Sequence, residues 1–185
     1  MSGAGAAIHA DDIAWSPDRV RDDTGFRISP DRALLVTRDN GQSWKHAFAA
    51  MPDAASIPVT AVAISPGFAE DGLVTAAIPG GIGCSHDRGV TWDFAQLPGH
   101  LPLATCLLVV PGEERPLLLA GTLEDGVARS GDGGRTWSFW NGGLFDHEVI
   151  GFERSDDAAT IIAVTPSGPY MSRNGGRSWR SHDHP

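Results

Sequence analysis

Short runs of apolar and β-branched residues recur along this chain and are separated by clusters of Gly, Pro, Asp and Ser. The runs at 59–65, 73–78 and 81–85 set one pattern, repeated at 104–110, 116–121 and 126–130 and again at 148–153, 160–165 and 169–172. A more irregular version precedes them at 13–16, 26–29 and 33–37. No run combines helical length with a 3.6-residue period, so each reads as a β-strand bounded by turns. A fourth short strand is predicted after each group of three, at 44–48, 92–95, 137–140 and 179–182.

Between the third and fourth strands of every group lies one octapeptide. The four copies are Thr37-Arg-Asp-Asn-Gly-Gln-Ser-Trp44, Ser85-His-Asp-Arg-Gly-Val-Thr-Trp92, Ser130-Gly-Asp-Gly-Gly-Arg-Thr-Trp137 and Ser172-Arg-Asn-Gly-Gly-Arg-Ser-Trp179, at spacings of 48, 45 and 42 residues. The chemistry is that of a tight turn. Asp39, Asp87, Asp132 and Asn174 are short acceptors able to bond backbone N–H groups a few positions on. Gly41, Gly89, Gly134 and Gly176 supply positive φ where a side chain clashes. The hydroxyls of Ser43, Thr91, Thr136 and Ser178 satisfy loop polar groups, and Trp44, Trp92, Trp137 and Trp179 lead into the next strand as large apolar covers. Similarity extends upstream, because the stretch from Ile64 to Gly72, with its Ser-Pro, has a counterpart running from Trp15 to Asp23.

The pattern S/T-x-D/N-x-G-x-S/T-W resembles the Asp-box, or BNR repeat, of sialidase-like, sortilin-like and photosystem II assembly factor-like β-propellers. A repeat in the forties of residues is also the spacing of propeller blades. The resemblance implies an all-β protein: a β-propeller of four four-stranded antiparallel blades, at 13–48, 59–95, 104–140 and 148–183, each with an Asp-box in its third turn. Residues 1–12 read as a tail and 13–185 as one propeller domain. Three assemblies fit four complete units: a closed four-bladed ring, a homodimer completing an eight-bladed ring, or part of a longer propeller.

Composition narrows the function. The chain has 185 residues and a net charge of −9, with Lys45 its single lysine, which disfavours a nucleic-acid partner because phosphate binding needs a basic face. No apolar stretch reaches the roughly 20 residues of a membrane helix, and the N-terminus lacks the basic region of a signal peptide, so no membrane role and a cytoplasmic location are expected. Cys84 and Cys106 sit in apolar runs and read as two buried thiols. No HExxH, CxxC, EF-hand, P-loop or Rossmann pattern occurs, so neither a metal nor a cofactor is expected; His182 and His184 form a terminal pair without a third ligand.

Within such a propeller, the loops opposite the octapeptides carry the candidate site. They offer Arg32, His100, Glu124, Asp125, Asp146 and His147 as polar groups and Trp140 as a stacking surface. The resemblance to sialidases implies an arginine triad and a Tyr nucleophile helped by Glu. The segment from Phe26 to Pro30 echoes a Phe-Arg-Ile-Pro motif with one inserted Ser, but Tyr170, the single tyrosine, is expected to pack in its sheet. Xyloglucan-cleaving relatives work across two large propellers, beyond this length. Asp22-Asp23 and Glu113-Glu114 are adjacent pairs whose side chains diverge in a strand. The expected function is therefore a non-catalytic binding or scaffold protein that uses its loop face for a protein or peptide partner. The alternatives are a glycan-binding or glycoside-hydrolase-like module and a half-ring of a larger propeller.

Overall fold

Alternation along the strands places every second side chain on the same face of a sheet, and the structure uses both faces. It is a computed structural model and describes residues 13–51, 57–112, 114–155 and 159–181. The 1–12 tail and the His182/His184 pair lie outside these residues, as does Glu113. The first sheet is β1 (Ile13–Trp15), β2 (Gly25–Ile28), β3 (Leu34–Thr37) and β4 (Lys45–His46). The second is β5 (Ala61–Ile64), β6 (Val74–Ile78), β7 (Gly81–Ser85) and β8 (Asp93–Gln96). The third comprises β9 (Ala104–Val110), β10 (Leu117–Thr122), β11 (Val127–Ser130) and β12 (Ser138–Phe139), and the fourth β13 (Gly151–Arg154), β14 (Ile161–Thr165), β15 (Gly168–Ser172) and β16 (Arg180–Ser181). In each sheet the strands lie in chain order, and all pairings are antiparallel. Every unit is thus complete from its first strand to its fourth, as the sequence pattern implies.

Two features depart from the sequence expectation. The connections at 16–24 and 65–73 each contain a single helical turn, α1 (Arg19–Asp22) and α2 (Phe68–Asp71). Both are held by the same device: Ser16 and Ser65 donate to Asp22 and Asp71 at 2.6 Å, and those carboxylates accept the N–H of Thr24 and Leu73. One turn is too short to show in a periodicity. The fourth strands are also shorter than expected: β4, β12 and β16 have two residues each. Each begins after its tryptophan, because that residue belongs to the turn; Trp137 and Trp179 pack on the preceding sheet.

The octapeptides close as their chemistry predicts. Asp132 Oδ1 accepts the N–H of Arg135 and Thr136 at 3.0 Å, Oδ2 accepts the Thr136 hydroxyl at 2.6 Å, and Ser130 Oγ accepts the Gly134 N–H at 2.9 Å. Asp39 and Asp87 make the matching bonds to Ser43 and Thr91. At Asn174 the last bond reverses: its amide donates to Ser178 Oγ at 2.9 Å. The glycines at the fifth position have φ between 77° and 91°, and the fourth position is left-handed as well, even at Asn40 and Arg88. A non-glycine residue there costs about 1 kcal/mol, offset by the turn bonds around it.

Three apolar clusters hold the four blades together, one at each junction. Phe26, Ile28, Leu34 and Val36 of the first blade meet Val62, Phe68, Val74 and Trp92 of the second. Ile82 and Cys84 meet Leu107, Leu118 and Trp137 at the next junction, and Cys106, Leu108 and Leu119 meet Phe152, Ile161, Tyr170 and Trp179 at the last. Both thiols are buried and free, and burial pushes each up to about 12. Tyr170 is packed within the last cluster, as its position beside the octapeptide suggests. No such cluster joins the fourth blade to the first among the described residues, which form an open arc.

The turn carboxylates make a pH prediction. Asp39 is held at about 2, below the ordinary 3.8, first by the Ser43 hydroxyl and then by the Ser43 N–H. At Asp87 and Asp132 partial burial, which raises the value, is outweighed by bonds from Thr91 and Ser85 and from Thr136 and Ser130, and both also sit at about 2. With folded values depressed, the unfolded chain binds more protons between the two values, so this stability is complete above about pH 4 and is lost as pH falls toward about 2. Measured against the intrinsic exchange rate at each pH, protection is expected to fall over that window at the amides of Ser43, Thr91 and Thr136. The Ser178 amide, bonded to the non-titrating Asn174, is expected to keep its protection.

Candidate binding face

The second-to-third strand turns and the links between blades come together at the edge opposite the octapeptides. Backbone bonds stitch them: Val59 N–H to Arg32 C=O at 2.8 Å, Leu97 N–H to Gly80 C=O at 2.9 Å, Leu123 N–H to Leu103 C=O at 2.9 Å, and Gly126 N–H to His147 C=O at 3.0 Å. A surface built from loops thereby acquires a fixed backbone, the usual way a rigid scaffold presents binding residues.

The seven candidate residues all lie along this edge or lead into it. Arg32 is exposed with φ 65° in the first such turn. His100 is exposed in the link after the second blade and lines a groove. Glu124 is exposed, whereas Asp125 is half-buried, its N–H bonded to Thr122 Oγ1 and its C=O to the Asn141 amide at 2.8 Å. Trp140 is 37% exposed; its indole donates to Ser138 Oγ at 2.7 Å, and the Arg129 guanidinium lies 5.8 Å from its ring. His147 is exposed, and its neighbour Asp146 accepts the N–H of Glu148 at 3.1 Å and of Ser167 at 2.9 Å. The Ser167 hydroxyl first, and then these two amides, hold Asp146 below its ordinary carboxylate value. The Asp146 carboxylate therefore ties the link at 141–150 to the turn of the fourth blade. Among the described residues no group of three His, Cys, Asp or Glu side chains could hold a metal ion.

Reasoning from polar residues overlooks the apolar part of this face. Phe145 is 88% exposed and Leu101 71%, and Leu103, Leu123 and Ile150 are exposed to lesser degrees. Leu101 also takes φ 54°, and it borders an open groove of about 650 Å³ lined by Ile78, Pro79, Phe94, Leu97 and His100. The signal was present in the links themselves. Leu101, Leu103 and Phe145 stand in Gly- and Pro-rich stretches with no strand alternation to bury them.

No family model and no curated protein matches the chain. Solved structures do. The crystal structure of an ancestral GH74 enzyme superposes with a TM-score of 0.69 at 20% identity, over 99% of this chain and 25% of that one. The GH74 enzyme of Niastella koreensis gives 0.67 at 16%, over 97% and 30%. YCF48 bound to a D1 peptide gives 0.64 at 17%, over 98% and 54%. The chain spans between a quarter and just over half of these proteins. At such identities the likeness is one of fold: the four sheets are built as a portion of a β-propeller.

Asp146 provides a local test. Asp146→Ala is expected to cost about 1 kcal/mol through two lost carboxylate–amide bonds at an exposed site. Exchange at the Ser167 and Glu148 amides should accelerate, read by amide hydrogen exchange, while the amides of β9 and β10 stay protected.

Proposed function

We propose that this chain is a non-catalytic binding propeller segment that takes an extended peptide or protein partner on the face formed by its second-to-third strand turns and inter-blade links. The observation that carries the reading is the row of exposed apolar side chains there. Leu101, Leu103, Leu123 and Phe145 are exposed on loops fixed by backbone bonds; Leu101 and His100 line a groove, and Glu124 and His147 are exposed on the same set of loops. Apolar anchors with a polar rim are the make-up of a protein-binding surface. The peptide bound by YCF48, a propeller of similar fold, supports the same class of partner. The use of Asp146 as a loop tie argues against its serving as half of a catalytic carboxylate pair.

A glycan-binding module is the second reading, favoured by the half-exposed Trp140 ring as a stacking platform and by the fold likeness to GH74 enzymes. One experiment separates the two. A peptide array followed by titration calorimetry is expected to yield apolar peptides whose affinity falls about 10-fold with Leu101→Asp or Phe145→Asp. Binding of β-glucan oligosaccharides, lost with Trp140→Ala, and of no peptide would replace this reading with the second.

A further inference from the structure

The three internal junctions of the arc follow one rule, and the rule describes the two faces left at its ends. Aligned on the octapeptides, each junction pairs a leading face, turned toward the next blade, with a trailing face turned toward the previous one. The leading faces carry Phe26, Ile28, Leu34 and Val36, then Thr75, Ala77, Ile82 and Cys84, then Leu119, Gly121, Val127 and Arg129. On the fourth blade the same positions are Ile162, Val164, Pro169 and Met171, all only half-buried, with no blade packed on them among the described residues. The trailing faces carry Trp92, Trp137 and Trp179, which are 8%, 8% and 2% exposed. On the first blade the corresponding Trp44 is half-buried, and Ile13, Trp15 and Leu35 share its open face.

The polar contacts obey the same rule. At each junction a leading-blade side chain donates to the carbonyl of the fourth octapeptide residue in the next blade: Arg38 to Arg88 at 2.8 Å, His86 to Gly133 at 3.0 Å and Arg129 to Gly175 at 2.9 Å. The series leaves Arg173, exposed on the fourth blade, as a donor and Asn40 of the first as the corresponding carbonyl.

Apart from Thr75 and Arg129, which lie inside the internal junctions, two inner-strand positions of the open faces break the apolar pattern, and with opposite charge. Arg27 occupies the trailing-face site held by Ala76, Ala120 and Ala163 in the other blades. Its guanidinium lies 4.4 Å from the Trp44 ring, and its Nε is buried with no hydrogen-bond partner. Glu153 occupies the leading-face site held by Ala14, Ala63 and Leu108, and is exposed. A cation on one open face and an anion on the other, both on inner strands, complement each other; Arg180, also on the fourth blade's open face, sits on the outer strand β16.

We infer that the open face of the fourth blade receives the open face of the first blade of a second copy of this chain. Two such junctions related by a two-fold axis close a ring of eight blades, in which Trp44 is covered as the other three octapeptide tryptophans are, and Arg27 faces Glu153. Self-closure within one chain is disfavoured because the arc already has the curvature of a portion of larger propellers. This inference is independent of what the loop face binds.

Light scattering on a sizing column tests it with the 185-residue chain. The wild type is expected at twice the 19.5 kDa chain mass. Arg27→Glu and Glu153→Arg each place like charges in both junctions and should weaken association about 100-fold, giving single chains with an unchanged circular dichroism spectrum. Mixing the two variants restores one Glu–Arg pair at each junction, so the mixture is expected to return to twice the chain mass. Val164→Arg, at the centre of the fourth blade's face, should give single chains that no partner variant rescues. A wild type that stays a single chain at high micromolar concentration would overturn the inference. So would a dimer indifferent to all three substitutions, or larger assemblies in place of the pair.

Discussion

The turn between the third and fourth strand of each sheet is the constraint on which the rest of the structure depends. An Asp or Asn oxygen gathers two backbone N–H groups, a hydroxyl closes the loop from the other side, and two consecutive left-handed residues reverse the chain. The outcome is a rigid corner that delivers a tryptophan to the face of the preceding sheet. The fifth-position glycine makes that approach feasible: at Gly89 a Cβ atom would lie 2.8 Å from the Phe26 ring. Removing a buried aromatic of this kind costs about 3–5 kcal/mol, so the corners carrying Trp92, Trp137 and Trp179 each stabilise two blades at once. Because the tryptophan always points backward, the packing has a direction, and an array of such units ends in two different faces.

That directionality explains how much of the molecule was legible in its sequence. The four strands per unit, their order and the role of Asp39, Asp87, Asp132 and Asn174 followed from turn chemistry repeated at blade spacing. The one-turn helices at 19–22 and 68–71 did not, since a Ser–Asp side-chain clamp rather than a periodic face holds them. The alternative of a four-bladed ring could not be decided from the repeat, because the same strands serve an arc or a circle. Three clusters for four blades decided it among the described residues.

The candidate face was legible in part. Loop positions of Arg32, His100, Glu124 and His147 followed from counting strands, but side-chain use did not. Asp146 looks like a free carboxylate in the sequence and proves to be bonded to two amides in the fold. Exposure of Leu101 and Phe145 was signalled by their Gly- and Pro-rich links, which have no strand alternation to bury them, but a reading that weighs only polar groups passes over it. The fold resembles part of larger propellers, and its loop face and end faces are separate surfaces with separate chemistry. One offers apolar anchors on a fixed backbone, the other the unfinished half of a junction the chain builds three times.

Small-angle X-ray scattering over a dilution series tests most directly the claim that four directional blades form an arc and not a ring. At low concentration the account predicts the extended distance distribution of an open arc of 19.5 kDa, giving way on concentration to a hollow ring of twice that mass. A compact particle of single-chain mass at every concentration, with the fourth blade seated on the first, would contradict it.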